Sequence, residues 1–237
     1  MHTPSSHLLP KQPCILCLTP SFHSLCPACQ QHLPLIDSPC RQCGLPLANQ
    51  DDALCGDCVQ HPKLFQRTLS PLLYRPPVDH LIHLYKQKSP AVLISILAAP
   101  LLTQAQKGIQ AGATPKYLIP TPSHWQRKFL RAFNPAQYLA EHLSRELRIP
   151  LLNALHQPQL RASQKKLTKQ QRQKNLGTAF ALLPRYQSEL AGSYVVVVDD
   201  VITTGATAQA LTQTLLNAGV ARVAIWALAR TPKPTAL

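Results

Sequence analysis

The chain has 237 residues, of which 24 are lysine or arginine and only 10 aspartate or glutamate, for a formal charge of +14. That length holds one full domain and a small module, 45% hydrophobic residues is the content of a globular protein, and the charge favours a polyanionic partner, nucleic acid or a polyphosphorylated small molecule, beside the plainer reading of a generally basic surface. The longest apolar run, Ala91 to Leu102, contains Ser95 and Pro100 and is too short to span a bilayer, and the opening residues Met1 to Ser6 hold no signal-peptide core, so the expectation is a soluble, cytoplasmic protein without a membrane span.

All eight cysteines lie in the first 58 residues, in four C-x-x-C pairs: Cys14/Cys17, Cys26/Cys29, Cys40/Cys43 and Cys55/Cys58. In a reducing cytoplasm such pairs argue for zinc rather than disulfides, because each turns two thiolates toward one ion and two turns complete a tetrahedral site. Eight thiolates make two structural zinc sites with no open position for catalysis. Neighbouring pairs, first with second and third with fourth, are favoured over an interleaved order; buried or redox-active thiols are the other reading. Gly44 and Gly56 follow cysteines, where a knuckle turn benefits from a residue without Cβ. So short a segment has little core of its own, and metal would supply the missing stability. His23, His32 and His61 are expected to be solvated rather than ligands.

Residues 59–66 read as a linker, which divides the chain into a zinc module over 1–62 and a larger domain over 63–237. Thr68 to Tyr74 is a strand candidate before Pro76-Pro77. Val78, Leu81, Ile82 and Tyr85 recur at helical spacing, ending in the basic pair Lys86 and Lys88. Ala91 to Lys107 is a second helix, with Pro100 as a kink or break. Tyr117 to Ile119 is a short strand, and Pro120 to Ser123 a rigid turn at its carboxyl end. The stretch 124–134 carries Arg127, Lys128 and Arg131. Pro135 to Arg148 is an amphipathic helix with Asn134 as N-cap and Pro135 in its first position. Leu151 to Leu155 reads as a strand. No acidic residue occurs from Leu147 to Ser188, and Arg161, Lys165, Lys166, Lys169, Arg172 and Lys174 crowd one segment. That segment would track a nucleic-acid backbone or simply be solvated. Without interleaved aromatics it does not predict base stacking.

Val195 to Val198 read as a strand buried on both faces, as in a parallel sheet. Asp199 and Asp200 follow where the strand would leave the sheet, and a Thr/Gly turn leads into a helix over Ala206 to Asn217. Ligands of open α/β sheets sit beyond the carboxyl ends of the strands, and a helix N-terminus offers free N–H groups to phosphate. Gly205 allows close backbone approach, and Thr203, Thr204 and Thr207 add hydroxyls. The two carboxylates suit sugar hydroxyls, or magnesium held with a phosphorylated substrate. The composite is a site for a ribose 5-phosphate. Ala221 to Leu228 closes the core as another strand.

The run Val195 to Thr207 resembles the phosphoribosyl pyrophosphate (PRPP) motif of type I phosphoribosyltransferases. The resemblance implies an α/β, type I phosphoribosyltransferase-like parallel-sheet core behind the small four-cysteine zinc-ribbon module. It implies that Asp199 and Asp200 hold the ribose hydroxyls, and that Thr203, Thr204, Gly205, Ala206 and Thr207 cradle the 5′-phosphate. The segments Ile119-Pro120 … Arg127 … Arg131-Ala132-Phe133-Asn134 and Gln164 … Leu167 … Arg172 … Asn175-Leu176 are similar to elements of the ComF family, which includes the GntX-like proteins. Ala132 stands where that family usually has glycine. By this resemblance Thr121 and Pro122 fall where pyrophosphate binds, with Arg127, Lys128 and Arg131 neutralising it, and the segment that carries Lys165 and Arg172 is a loop that closes over PRPP, excludes water and stabilises charge on departing pyrophosphate. The implied cofactors are two structural zinc ions and magnesium with PRPP. The implied role is DNA uptake in natural transformation or use of external DNA, with single-stranded DNA and proteins of the competence machinery as partners. The alternative is an active phosphoribosyltransferase with an unknown acceptor; no constellation for covalent catalysis is present, as such transfer requires none.

Overall fold

Val195 to Val198 are at most 1% exposed, and they divide by strand alternation between two cores. Val196 and Val198 pack with one hydrophobic cluster, and Val195 and Val197 with another on the opposite face. The computed structural model describes residues 11–49, 51–87, 90–122, 133–158 and 180–233. The valine strand, Tyr194–Ile202, pairs in parallel with Tyr117–Pro120 on one side and with Arg222–Arg230 on the other. Arg67–Leu69 and then Leu72–Leu73 pair in parallel with the outer flank of Arg222–Arg230. The expected strand over 68–74 is thus two short strands, broken at Ser70-Pro71.

Three helices cover one face: Val78–Gln87, Pro90–Gln110 and Pro135–Leu147. Helix Ala206–Asn217 covers the other, as its apolar spacing predicts. Pro135–Leu147 starts as its sequence predicts: Asn134 accepts from the Ala136 N–H at 3.1 Å, a cap worth about 1 kcal/mol. Pro90–Gln110 is one helix, unbroken at Pro100. A proline inside a helix costs about 3 kcal/mol, but Leu93, Ile94, Leu97, Ala98, Leu101 and Ala105 are at most 3% exposed, and each large one contributes about 1.5–3 kcal/mol by burial. It is also, among the described residues, the one helix long and apolar enough to cross a membrane, which the sequence reading did not anticipate. Its buried side chains belong to the main core, together with those of helices Val78–Gln87 and Pro135–Leu147.

Two further readings change. The valine strand does not end at the carboxylates: Asp199 lies opposite Ala227, and pairing runs on to Ile202 opposite Arg230. Of the strand expected over 151–155, Leu151 makes a single parallel bridge to Leu118. Leu155–His156 instead pairs antiparallel with Ala181–Leu182, so the two ends of the basic segment are pinned side by side. Residues 59–66, the expected linker, make contacts of their own. Phe65 is 3% exposed, Lys63 pairs with Asp57 at 2.9 Å, and the Gln42 amide donates to the carbonyls of Lys63 and Phe65.

Candidate functional site

Strand pairing brings the expected ribose and phosphate residues together at the carboxyl end of the sheet. The Thr121 N–H donates to the Val198 carbonyl at 2.8 Å, one residue before Asp199. The Asn134 side chain donates to the Thr121 carbonyl at 3.0 Å, so the start of helix Pro135–Leu147 fixes that turn. The Thr121 hydroxyl oxygen is buried with no partner among the described residues. Thr203, Thr204, Ala206 and Thr207 are exposed. Gly205 has φ +81°, the left-handed region that favours glycine, and a Cβ built there would meet nothing within 4 Å. Its backbone therefore demands the glycine, and the space beyond it is open. The Thr204 hydroxyl accepts from the Ala206 N–H at 3.3 Å. Arg127, Lys128, Arg131, Lys165 and Arg172 lie outside the described residues.

Asp199 is partly buried, and burial together with the charge of Asp200 pushes its carboxyl up to about 7. The folded chain thus holds this proton more tightly than the unfolded chain, where an Asp titrates near about 4, so the group costs stability as pH rises between those values. Asp200 is paired. Lys86 Nζ lies 2.6 Å from Asp200 Oδ2, with the two side chains 20% and 16% exposed. The lysine's neighbour in the helix is anchored: the buried Tyr85 hydroxyl donates to the Pro135 carbonyl at 2.6 Å, and its ring meets Phe133 and Tyr138 at 6.3 and 6.5 Å. The sequence flagged Lys86 as basic but gave it no partner.

Arg230 was missed altogether. It ends the strand beside the valine strand, its residue is 5% exposed, and its guanidinium donates to four carbonyls. Nε reaches Cys43 at 2.9 Å; Nη1 reaches Ile202 and Thr231 at 3.0 Å each, and Thr203. Burial disfavours its charge, while the thiols of Cys43, Cys55 and Cys58 favour it. The available signal was an arginine closing the apolar run Val223 to Ala229.

The four C-x-x-C pairs form two clusters, Cys14/Cys17/Cys26/Cys29 and Cys40/Cys43/Cys55/Cys58, each with its sulfurs within 4.8 Å of one another. Cys17 and Cys26 sulfurs are 3.7 Å apart and Cys43 and Cys55 sulfurs 3.6 Å. A disulfide would need about 2.05 Å, whereas sulfurs at about 2.3 Å from one tetrahedral zinc lie about 3.8 Å apart. Both clusters also turn backbone N–H groups onto sulfur: Cys26 onto Cys14 and Cys55 onto Cys40, each at 3.3 Å. Burial opposes ionisation of Cys14 and Cys40, yet backbone N–H groups bring them down to about 6 and about 7. The donor set and its spacing fit zinc. His23, His32 and His61 are exposed and outside both clusters.

Residues 5–59 match the double zinc ribbon domain and residues 135–237 the phosphoribosyl transferase domain. Sheet, turn and clusters therefore define a phosphoribosyltransferase-type domain carrying a double zinc ribbon. The chain is 33% identical to the DNA utilization protein YhgH of Escherichia coli (strain K12) over 227 residues, 92% of this chain and 96% of that one. It is 30% identical to competence protein F of Haemophilus influenzae over 211 residues, 88% and 91% of the two chains. It belongs to the ComF family that these relatives represent. Among solved structures it resembles the allosteric regulatory enzyme of purine biosynthesis, at 14% identity and a TM-score of 0.40, over 62% of this chain and 30% of that one.

Proposed function

We propose that this protein binds PRPP with magnesium and serves DNA uptake in natural transformation or the use of external DNA, with residues 1–62 as zinc module and 63–237 as the PRPP-binding domain. The observation that carries the reading is the turn after the valine strand: an exposed Thr/Gly loop at a helix N-terminus, open in front of Gly205, beside two carboxylates and the Thr121 hydroxyl, which has no partner among the described residues. In this reading residues 203–207 bind the 5′-phosphate through N–H groups and hydroxyls. Asp199 and Asp200 accept from the ribose hydroxyls, Asp200 sharing its charge with Lys86. Thr121 and Pro122 face the pyrophosphate, with Arg127, Lys128, Arg131, Lys165 and Arg172 supplying cations. Magnesium fits an all-oxygen donor set in company with the ligand: with one carboxylate already paired to Lys86, phosphate and water make up most of its shell. If transfer to an acceptor occurs, positioning and charge stabilisation at this site would carry it.

Calorimetric titration of the zinc-loaded protein with PRPP and magnesium tests this. Micromolar binding by the wild type is expected, lost in Asp199→Asn/Asp200→Asn with an unchanged circular dichroism spectrum. A well-folded wild type that binds nothing overturns it.

Direct contact with single-stranded DNA is favoured by a second observation. A cleft of about 480 Å³ lies between the second cysteine cluster, the edge strand and the end of helix Pro90–Gln110. Arg41, Arg67 and Lys107 line it without a carboxylate among the lining residues. Charge reversal of Arg67 and Lys107 is expected to weaken binding of a single-stranded oligonucleotide and to lower its log–log salt slope by about 1.4, at about 0.7 per phosphate. An unchanged slope assigns the contact elsewhere, with the basic segment 159–179 the next place to test. Proteins of the competence machinery are the other partners this role implies.

A further inference from the structure

We propose that Arg230 is a positioning residue that makes the shape of the phosphate turn depend on the intact second cysteine cluster. The inference rests on the reading of residues 203–207 as the PRPP turn.

Arg230 joins two places that are far apart in the chain. One side of its guanidinium holds the carbonyl of Cys43, 187 residues away, and Cys43 is itself one of the four clustered cysteines. The other side holds the carbonyls of Ile202 and Thr203, the two residues where the valine strand gives way to the turn. A buried cation without partners costs several kcal/mol, and among the described residues no carboxylate pairs with Arg230. Its compensation is these carbonyls and the cluster behind them. Four thiolates around a divalent ion keep two net negative charges, so the loaded cluster is the anion that a buried guanidinium requires.

The cluster is clamped to the sheet, which is what transmits a change. The Thr68 hydroxyl donates to the Gln42 carbonyl at 2.6 Å, and the Thr68 N–H to the Arg41 carbonyl at 3.0 Å. Gly44 has φ +73°, and a Cβ there would sit 2.9 Å from Thr68 Cγ2. A second tie reaches the far side of the turn: the Leu64 N–H donates to Gln209 Oε1 at 2.9 Å, in the first turn of helix Ala206–Asn217. The chain just after the second cluster therefore touches the turn's helix, while the cluster itself holds the turn's strand through Arg230. When that cluster opens, the Cys43 carbonyl is released, Arg230 loses its counter-charge, and the Ile202–Thr203 junction loses its anchor. The first cluster contributes its buried residues to the helix-covered core instead.

The test uses the full-length, zinc-loaded protein. Arg230→Gln removes the charge and the fork and shortens the side chain; Arg230→Lys keeps the charge alone. Both are expected to retain two zinc ions per chain, to bind PRPP at least tenfold more weakly, and to exchange the amides of residues 203–207 faster. Wild-type affinity and exchange in Arg230→Gln overturn the inference. Should Arg230→Gln not fold, Cys58→Ser decides, since it opens the second cluster and leaves Arg230 and Cys43 in place. It is expected to speed amide exchange at 203–207 with loss of one zinc, while Cys17→Ser loses one zinc and leaves that exchange unchanged. Unchanged exchange in Cys58→Ser, or the same acceleration in Cys17→Ser, overturns the inference. If the wild type binds no PRPP, the reading of the turn fails, and the exchange measurement still decides the coupling.

Discussion

Leu18 and Gly44 hold the same place, one residue after the second cysteine of each cluster, with φ +63° and +73°. Around them the backbone repeats. The N–H of Leu18 donates to the Cys14 carbonyl at 2.9 Å and that of Gly44 to the Cys40 carbonyl at 2.8 Å; the N–H of Cys14 donates to Thr19 and that of Cys40 to Leu45. Yet Leu18 is 73% exposed, whereas a Cβ at Gly44 would strike Thr68. The metal turn asks for a left-handed residue in both clusters, and only the packing of the second asks for glycine. Gly56, which the sequence placed in the same class, has no such need: its φ is ordinary and nothing lies within 4 Å of a Cβ there. The first cluster is joined to the helix-covered core by apolar burial of Cys14, Leu25, Cys26 and Leu33. The second is joined to the sheet by directed hydrogen bonds from Arg230 and Thr68, and to the segment before the edge strand by Gln42.

The largest test of this contrast removes one metal at a time. Structural zinc contributes about 10–16 kcal/mol to folding its own module, so Cys14→Ser and Cys40→Ser should each lose one of two zinc ions and unfold the local turn. The consequences should then part. In Cys14→Ser, limited proteolysis should cut within residues 11–33 and leave the sheet intact. In Cys40→Ser the edge strand Arg67–Leu69 and residues 202–207 should also become cleavable. Identical cleavage maps would break the contrast.

How much of this was legible follows the same division between local and directed contacts. The four valines and the Asn134-Pro135 start announce themselves because burial on both faces and capping are written in neighbouring residues. The cysteine grouping follows from spacing for the same reason. Lys86 and Arg230 carry no such mark, since their partners come from elements brought close only by the parallel sheet and its covering helices. That the helix runs unbroken through Pro100 was not legible, because the local cost of a proline is visible in sequence while the six buried side chains that outweigh it are not. Leu151 to Leu155 misled because an apolar run reads alike whether it enters the sheet or packs beside it.

The smaller test exchanges the two left-handed residues. Gly44→Ala adds a methyl group at 2.9 Å from Thr68 and an unfavourable φ, and should destabilise by about 2 kcal/mol by denaturant titration, with zinc retained. Leu18→Gly should go the other way. A left-handed φ costs a residue with Cβ roughly 1–2 kcal/mol, glycine avoids it, and the leucine side chain buries little that would be lost. The greater entropy of an unfolded glycine takes back part of that gain, so a net stabilisation of about 0.5–1 kcal/mol is expected. The denaturation midpoint should rise with its slope unchanged. A fall instead would mean that the leucine side chain stabilises the first cluster's turn despite its 73% exposure, and the contrast with Gly44 would fail.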